Sequence, residues 1–234
     1  IKTKVMNKNF KKTILLFMLL ILPVTFYAQN DVTKFLDIPI DGYKPEMVQK
    51  LKSKGFTINP YSKDKDILDG EFNGTNVNLS IGTNNNKVWR IAVIDANSTD
   101  ETNIKIRFNN LIQQFVNNER YSIQADSTIA KYMIPKDEDI SYEISVKDKR
   151  YEATFYQKTI KHDSLTKEKD LLLAKDTLDD KEKERLFDLM VEIVKESLNS
   201  LNKRVWFMIK EDYGKYRIVI FYENAHNEAN GKGL

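Results

Sequence analysis

The sequence predicts an α+β fold: an antiparallel sheet built from helix-plus-hairpin units, with the helices packed on one face. Three observations carry that reading. Apolar residues recur at helical spacing in three separate stretches, each stretch is followed by short runs of alternating or continuous apolar residues, and turn residues separate those runs. The 234 residues are 41% hydrophobic, 30% charged and 11% aromatic. That is too rich in core formers for a disordered chain and too polar for a multispanning membrane protein.

The first helix is predicted over Lys44 to Ser53, where Met47, Val48 and Leu51 share a face, Pro45 suits the first turn, and Gly55 follows as a stop. Three β-runs come next: Ile67 to Phe72, Thr75 to Ile81 and Lys87 to Asp95. Asn73-Gly74 turns the first pair, and the continuous apolar content of the third places it centrally, with Trp89, Ile91 and Val93 buried on one side and Val88, Ala92 and Ile94 on the other. The second unit opens with a helix over Asn103 to Asn118, striped by Ile104, Phe108, Leu111, Ile112 and Phe115. A hairpin of Ile140 to Val146 with Tyr151 to Gln157 is expected after it, from the alternation of Ile140, Tyr142, Ile144 and Val146 with Ser141, Glu143 and Ser145. In the third unit, Asp179 and Glu182 have capping-box spacing. The helix that follows carries a seam of Leu186, Met190, Ile193, Ser197 and Leu201, and a hairpin pairs Val205 to Lys210 with Lys215 to Tyr222 across Asp212 to Gly214. Residues 158–185 are crowded with Lys, Asp and Glu and read as a charged insertion, a solvated linker with a short helix; a partner-contacting arm is the sharper alternative.

Residues 1–28 read as a secretory signal peptide. Lys8, Lys11 and Lys12 precede a nine-residue apolar core, Ile14 to Leu22, and Pro23 and the small residue Ala28 follow, so cleavage is expected between Ala28 and Gln29. A bilayer span takes roughly 20 apolar residues, which argues against a retained anchor. The expected mature chain, 29–234, is one α+β domain or two closely packed halves, 29–100 and 101–234. The formal charge of +3 includes five lysines of the leader and becomes −2 without them. Nucleic-acid binding needs a concentrated positive field, so that class is set aside. With no cysteine there is neither disulfide nor lipid-anchored N-terminus, and a periplasmic or extracellular protein must be held by its core.

The segments Phe35 to Gly42, Gly70 to Gly74, Thr83 to Arg90, Ile106 to Leu111, Glu138 to Glu143, Lys149 to Ala153 and Ala229 to Gly231 resemble those of a family of uncharacterised exported proteins of gut Bacteroides and Prevotella. The resemblance covers the mature chain outside 158–185 and implies export, with no activity or site residue to carry over. The helix-plus-meander order is also loosely similar to the β-lactamase-inhibitor-protein fold, whose members bind proteins. Exported proteins of that bacterial group are O-glycosylated at Asp-Ser/Thr followed by an aliphatic residue. Asp163-Ser164-Leu165 and Asp176-Thr177-Leu178 fit, which makes Ser164 and Thr177 candidate acceptors.

Most chemistries lack their residues. Only His162 and His226 are available, neither beside a nucleophile elbow, so a hydrolytic triad or a Cys/His metal site is not expected. The eight glycines form no phosphate-cradling loop, and no cofactor is suggested. Asp137, Glu138 and Asp139 lack the glycine-containing spacing of a calcium loop. A carboxylate-dependent glycan hydrolase is the alternative to a binding protein, with Glu71, Asp95, Glu143 and Glu152 as its candidate acids. The favoured expectation is a non-catalytic exported module that binds a protein or envelope component. Its candidate surface is the aromatic-rich C-terminal hairpin and tail, at Tyr213, Tyr216, Tyr222 and Asn224.

Overall fold

The computed structural model of this protein describes residues 31–63, 67–123 and 129–229. The expected leader, its cleavage site at Ala28 and Gln29, and the resemblance segment's Asn230 and Gly231 lie outside them. In chain order the elements are β1 (Lys34–Phe35), β2 (Ile38–Pro39), α1 (Lys44–Ser53), β3 (Thr57–Ile58), β4 (Ile67–Phe72), β5 (Thr75–Asn84), β6 (Lys87–Asp95), α2 (Glu101–Asn117), β7 (Tyr121–Ser122), a 3-10 turn (Ile129–Lys131), α3 (Ile140–Lys147), β8 (Glu152–Gln157), α4 (His162–Leu173), α5 (Asp180–Ser200), β9 (Arg204–Asp212) and β10 (Lys215–Glu223). Among the described residues β1 and β2 pair with each other. The other eight strands form one antiparallel sheet in the order β3-β4-β5-β6-β10-β9-β8-β7. This is an α+β architecture.

Local chemistry sets these boundaries. Pro45 occupies the first turn of α1 without costing a hydrogen bond, and Gly55 follows it in a left-handed conformation, φ 98°. Asn73-Gly74 and Asn85-Asn86 both have positive φ at two consecutive residues, the geometry that turns β4 into β5 and β5 into β6 with the right twist. The register shift at Gly82/Thr83, where Gly82 faces Arg90 and Thr83 faces Val88, leaves Trp89 as an extra residue in β6. Val88 is therefore buried and Trp89, expected inside, lies only half-buried.

The core lies on one face of the sheet. Met47 and Leu51 of α1, Ile140 of α3 and the predicted stripe of α2 pack against Leu79, Ile91, Val93, Phe155, Phe207 and Ile218. Asp100 fixes the start of α2 by accepting a hydrogen bond from the Asn103 amide, 2.9 Å. At the centre Phe115 stacks on Phe155 and Phe207, at 4.8 Å and 5.5 Å between centroids, and Phe108 meets Phe207 edge-on at 5.1 Å.

The structure corrects one sequence expectation here. Ile140 to Val146 is helical, not a strand. Asp139 accepts from the Tyr142 amide and starts α3, and Asp148, left-handed at φ 52°, ends it. Ile140 and Ile144, four apart, satisfy a helical period as well as an alternating one, and they are the residues packed on the core, while Tyr142 and Val146 are exposed. Strand β8 consequently pairs with β9 and β7. The charged stretch contains a short helix, α4, which fills its first half and packs on α5.

Candidate interaction surface

The capping box predicted at Asp179 and Glu182 is present: the Asp179 carboxylate accepts from the Glu182 amide at 2.8 Å, and the Glu182 carboxylate accepts from the Asp179 amide at 3.1 Å. It opens a helix of 21 residues, about 31 Å long. Among the described residues its substantial packing partner is α4. Leu165 of α4 and Leu189 of α5 are the buried residues of this helical pair, with Leu186 and Ile193 half-buried beside them; Leu165 and Leu189 lie outside the main core cluster. Arg185 ties the pair together, donating to both carboxylate oxygens of Glu168 at 2.8 and 2.9 Å and to Glu192 at 3.2 Å.

The inward stripe is therefore Leu186, Leu189 and Ile193. This departs from the expected seam, in which Met190 and Leu201 were inward; both are exposed. The physical reason is that α5 carries two apolar stripes. The second contains Phe187, Met190, Val191, Val194, Leu198 and Leu201, each between 48% and 67% exposed. A single scattered leucine on a surface needs no explanation, but six large apolar side chains along one helix face form a contiguous apolar patch.

The residues singled out from sequence are distributed differently. Tyr213 is 99% exposed at the β9–β10 turn. Tyr216 and Tyr222 alternate onto the core face of β10 and are buried, Tyr222 against Phe35 at 5.0 Å. Asn224 is buried as well. Its amide donates to the Ile40 carbonyl at 2.7 Å, and Asn227 donates to Asp41 and to the Val88 carbonyl, so the tail is stitched to the sheet as far as these residues. Ser164 and Thr177 are both exposed, on α4 and in the α4–α5 loop.

Tyr213 has a positive φ of 50° beside Gly214 at 72°, a two-residue hairpin turn that Asn-Gly would fill with less strain. Replacing Tyr213 with asparagine is expected to raise stability by about 1 kcal/mol. A denaturant midpoint that falls would show that the tyrosine ring holds the turn.

The four carboxylates of the hydrolase alternative do not converge. Asp95 is buried and accepts two hydrogen bonds from Arg107, at 2.5 and 2.6 Å. Glu71 neighbours Asn76, one row from the Gly70–Val77–Asp95 row, and so points to the opposite face of the sheet from Asp95. Glu71 and Glu152 stand on β4 and β8, five strand positions apart and therefore about 24 Å. Glu143 is ion-paired with Lys147 on α3 at 2.6 Å. Among the described residues no group of three or more His, Asp or Glu side chains is placed to hold a metal ion.

An open cleft of about 820 Å³ lies between the β1–β2 hairpin, the C-terminal end of α2 and the start of α4, floored by Phe72, Phe115 and Tyr121. Its charges are largely neutralised by one another: Lys203 with Asp31 at 2.8 Å, Arg120 with Asp37 at 3.1 Å and Lys158 with Asp163 at 3.7 Å. On the other face of the sheet Glu223, buried, accepts from both Arg90 and Arg204, and the Arg90 guanidinium lies over Trp89 and Phe221. The charges of both arrangements pair within themselves, while Arg90 Nε and the Thr159 hydroxyl are buried without a hydrogen-bond partner.

Glu138 accepts from both the Lys149 ammonium and the Tyr151 hydroxyl. Burial alone would raise its pKa, but the two hydrogen bonds outweigh that and hold the carboxyl below its ordinary 4.5. Tyr151 is pushed well above its usual value, first by burial and then by the carboxylate it bonds. A depressed carboxyl stabilises the fold above its unfolded pKa and loses that contribution as pH falls through the folded one. Replacing Glu138 with glutamine is thus expected to cost about 1–2 kcal/mol at pH 7. The cost should fade below pH 4.5. A difference between the two proteins that stays flat from pH 7 to pH 3 would sink this assignment.

None of the protein-family models, curated proteins or solved structures compared with this chain matches it.

Proposed function

We propose that this chain is an exported, non-catalytic module that binds protein, and that the outward stripe of α5 is its contact surface. The observation that carries the reading is six large apolar side chains exposed along one face of a helix whose other face is already satisfied by α4. Two charge features support protein as the partner. The residues after position 28 have a net charge of −2, and within α5 six acids face four bases, which repels both nucleic acid and anionic lipid. No helix among the described residues is long and apolar enough to cross a membrane. Export rests on the leader-like pattern of residues 1–28 and on the resemblance to exported Bacteroides and Prevotella proteins. Ser164, exposed on α4, and Thr177, exposed in the loop that joins α4 to α5, are proposed as its O-glycan acceptors.

The test is site-specific photo-crosslinking in the producing cell, with a benzophenone side chain at Val194 and, as control, at exposed Lys210 on β9. A protein adduct at Val194 that is missing at Lys210 is the expected result. Absence of any protein adduct at Val194, Val191 and Leu198 would overturn the reading.

A further inference from the structure

We infer that the occupant of this stripe is a second copy of the same chain, its α5 lying antiparallel to the first; the inference rests on α5 being a contact surface. Phe187, Val191, Val194, Leu198 and Leu201 are separated by 4, 3, 4 and 3 positions. That average of 3.5 is the period of a seam that meets another helix, since it keeps the same stripe facing a partner helix along its length. The buried stripe of α2 has the same 4-3-4 spacing against the sheet, so the choice of a helix as partner rests on the charges that flank the α5 stripe.

The charges beside the seam select both direction and register. In heptad terms Phe187, Val194 and Leu201 are d positions, Val191 and Leu198 are a positions, and Asp188 and Lys195, both exposed, occupy successive e positions. In an antiparallel pair e positions face e positions. Setting Val191 against Val194 of the second copy also sets Phe187 against its Leu198, and brings Asp188 beside its Lys195. Symmetry repeats each contact, so two opposite-charge pairs flank the seam. Sliding by one heptad in one direction brings Lys195 opposite its own counterpart, and in the other direction brings Asp188 opposite its own, so both neighbouring registers are penalised. The parallel alternative sets Glu184, at an a position one turn before Phe187, against itself and aligns the two helix dipoles. Antiparallel packing places Glu184 near Leu201 and opposes the dipoles.

From Phe187 to Leu201 the seam is about 21 Å long. That is short for a permanent interface, so the dimer is reversible, with dissociation expected at about micromolar concentration.

Sedimentation equilibrium on the purified full chain tests this. Asp188→Lys alone, which turns both flanking pairs repulsive, should weaken dimerisation about tenfold, and Lys195→Asp alone should do the same. An equimolar mixture of the two variants should recover wild-type association, because each variant's new charge then meets its opposite on the other. Val194→Glu should abolish association with an unchanged circular dichroism spectrum, since that side chain is exposed in the single chain. A wild-type chain that stays monomeric at about 100 µM overturns the inference. So does a dimer indifferent to the charge changes. In either case a Val194 photo-adduct with a different protein would leave the binding reading standing, and its absence would remove both.

Discussion

Replacing Phe207 with alanine is expected to lower the unfolding free energy by about 3–5 kcal/mol, the range for a large aromatic removed from a close-packed core. Phe207 is fully buried and is the ring that joins the two halves of the core. It contacts Phe108 and Phe115 of α2 on one side and lies parallel to Phe155 of β8 at 6.0 Å on the other. The strands beneath are held in register on both sides of β9, so they cannot close over the hole. Urea denaturation measures the effect. A loss below about 1 kcal/mol would mean that α2 collapses into the cavity.

Removing the Arg107 guanidinium should be comparably severe. Asp95 is buried in the central strand β6, and its two strongest partners are both on Arg107. Arg107→Ala leaves that carboxylate unpaired in the interior, which costs about 3–5 kcal/mol. Changing both residues to Arg107→Met and Asp95→Leu should recover most of the loss, because the buried charge goes with its partner. The recovery stops short by about 1–3 kcal/mol, since the Ile218 amide, which donates to Asp95 at 3.2 Å, is left without its acceptor. If the double variant were no more stable than the single one, the ion pair itself would be what holds α2 to the sheet.

Where local chemistry decides structure, the sequence could be read closely. The bounds of α1 and β4 coincide with prediction because Pro45, Gly55 and Asn73-Gly74 punctuate them, and the capping box at Asp179 needs no tertiary context. Ile140 to Val146 was ambiguous for a definite reason: residues four apart satisfy both periods, and the deciding contact is the Asp139 cap. Tyr216, Tyr222 and Asn224 looked like surface because alternation along β10 identifies two faces without saying which one α2 covers. The α5 stripe was legible in part. Its 4-3-4-3 spacing is in the sequence, but two interleaved apolar stripes on one helix read as a single seam until packing against α4 shows which of them is already occupied.

The strand order has a kinetic consequence. The centre of the sheet is the pairing of β6 with β10, and residues that meet there, such as Asp95 and Ile218, are 123 positions apart in the chain. Closing so long a loop costs entropy before any contact repays it, so folding should be slow for a protein of this size. Until β10 arrives, β6 presents a full row of unpaired amides and carbonyls next to its apolar face, an open template for strand exchange between chains. The nascent protein is thus most prone to aggregate in the interval after the β4–β5–β6 meander has formed and before β10 is available to seal it.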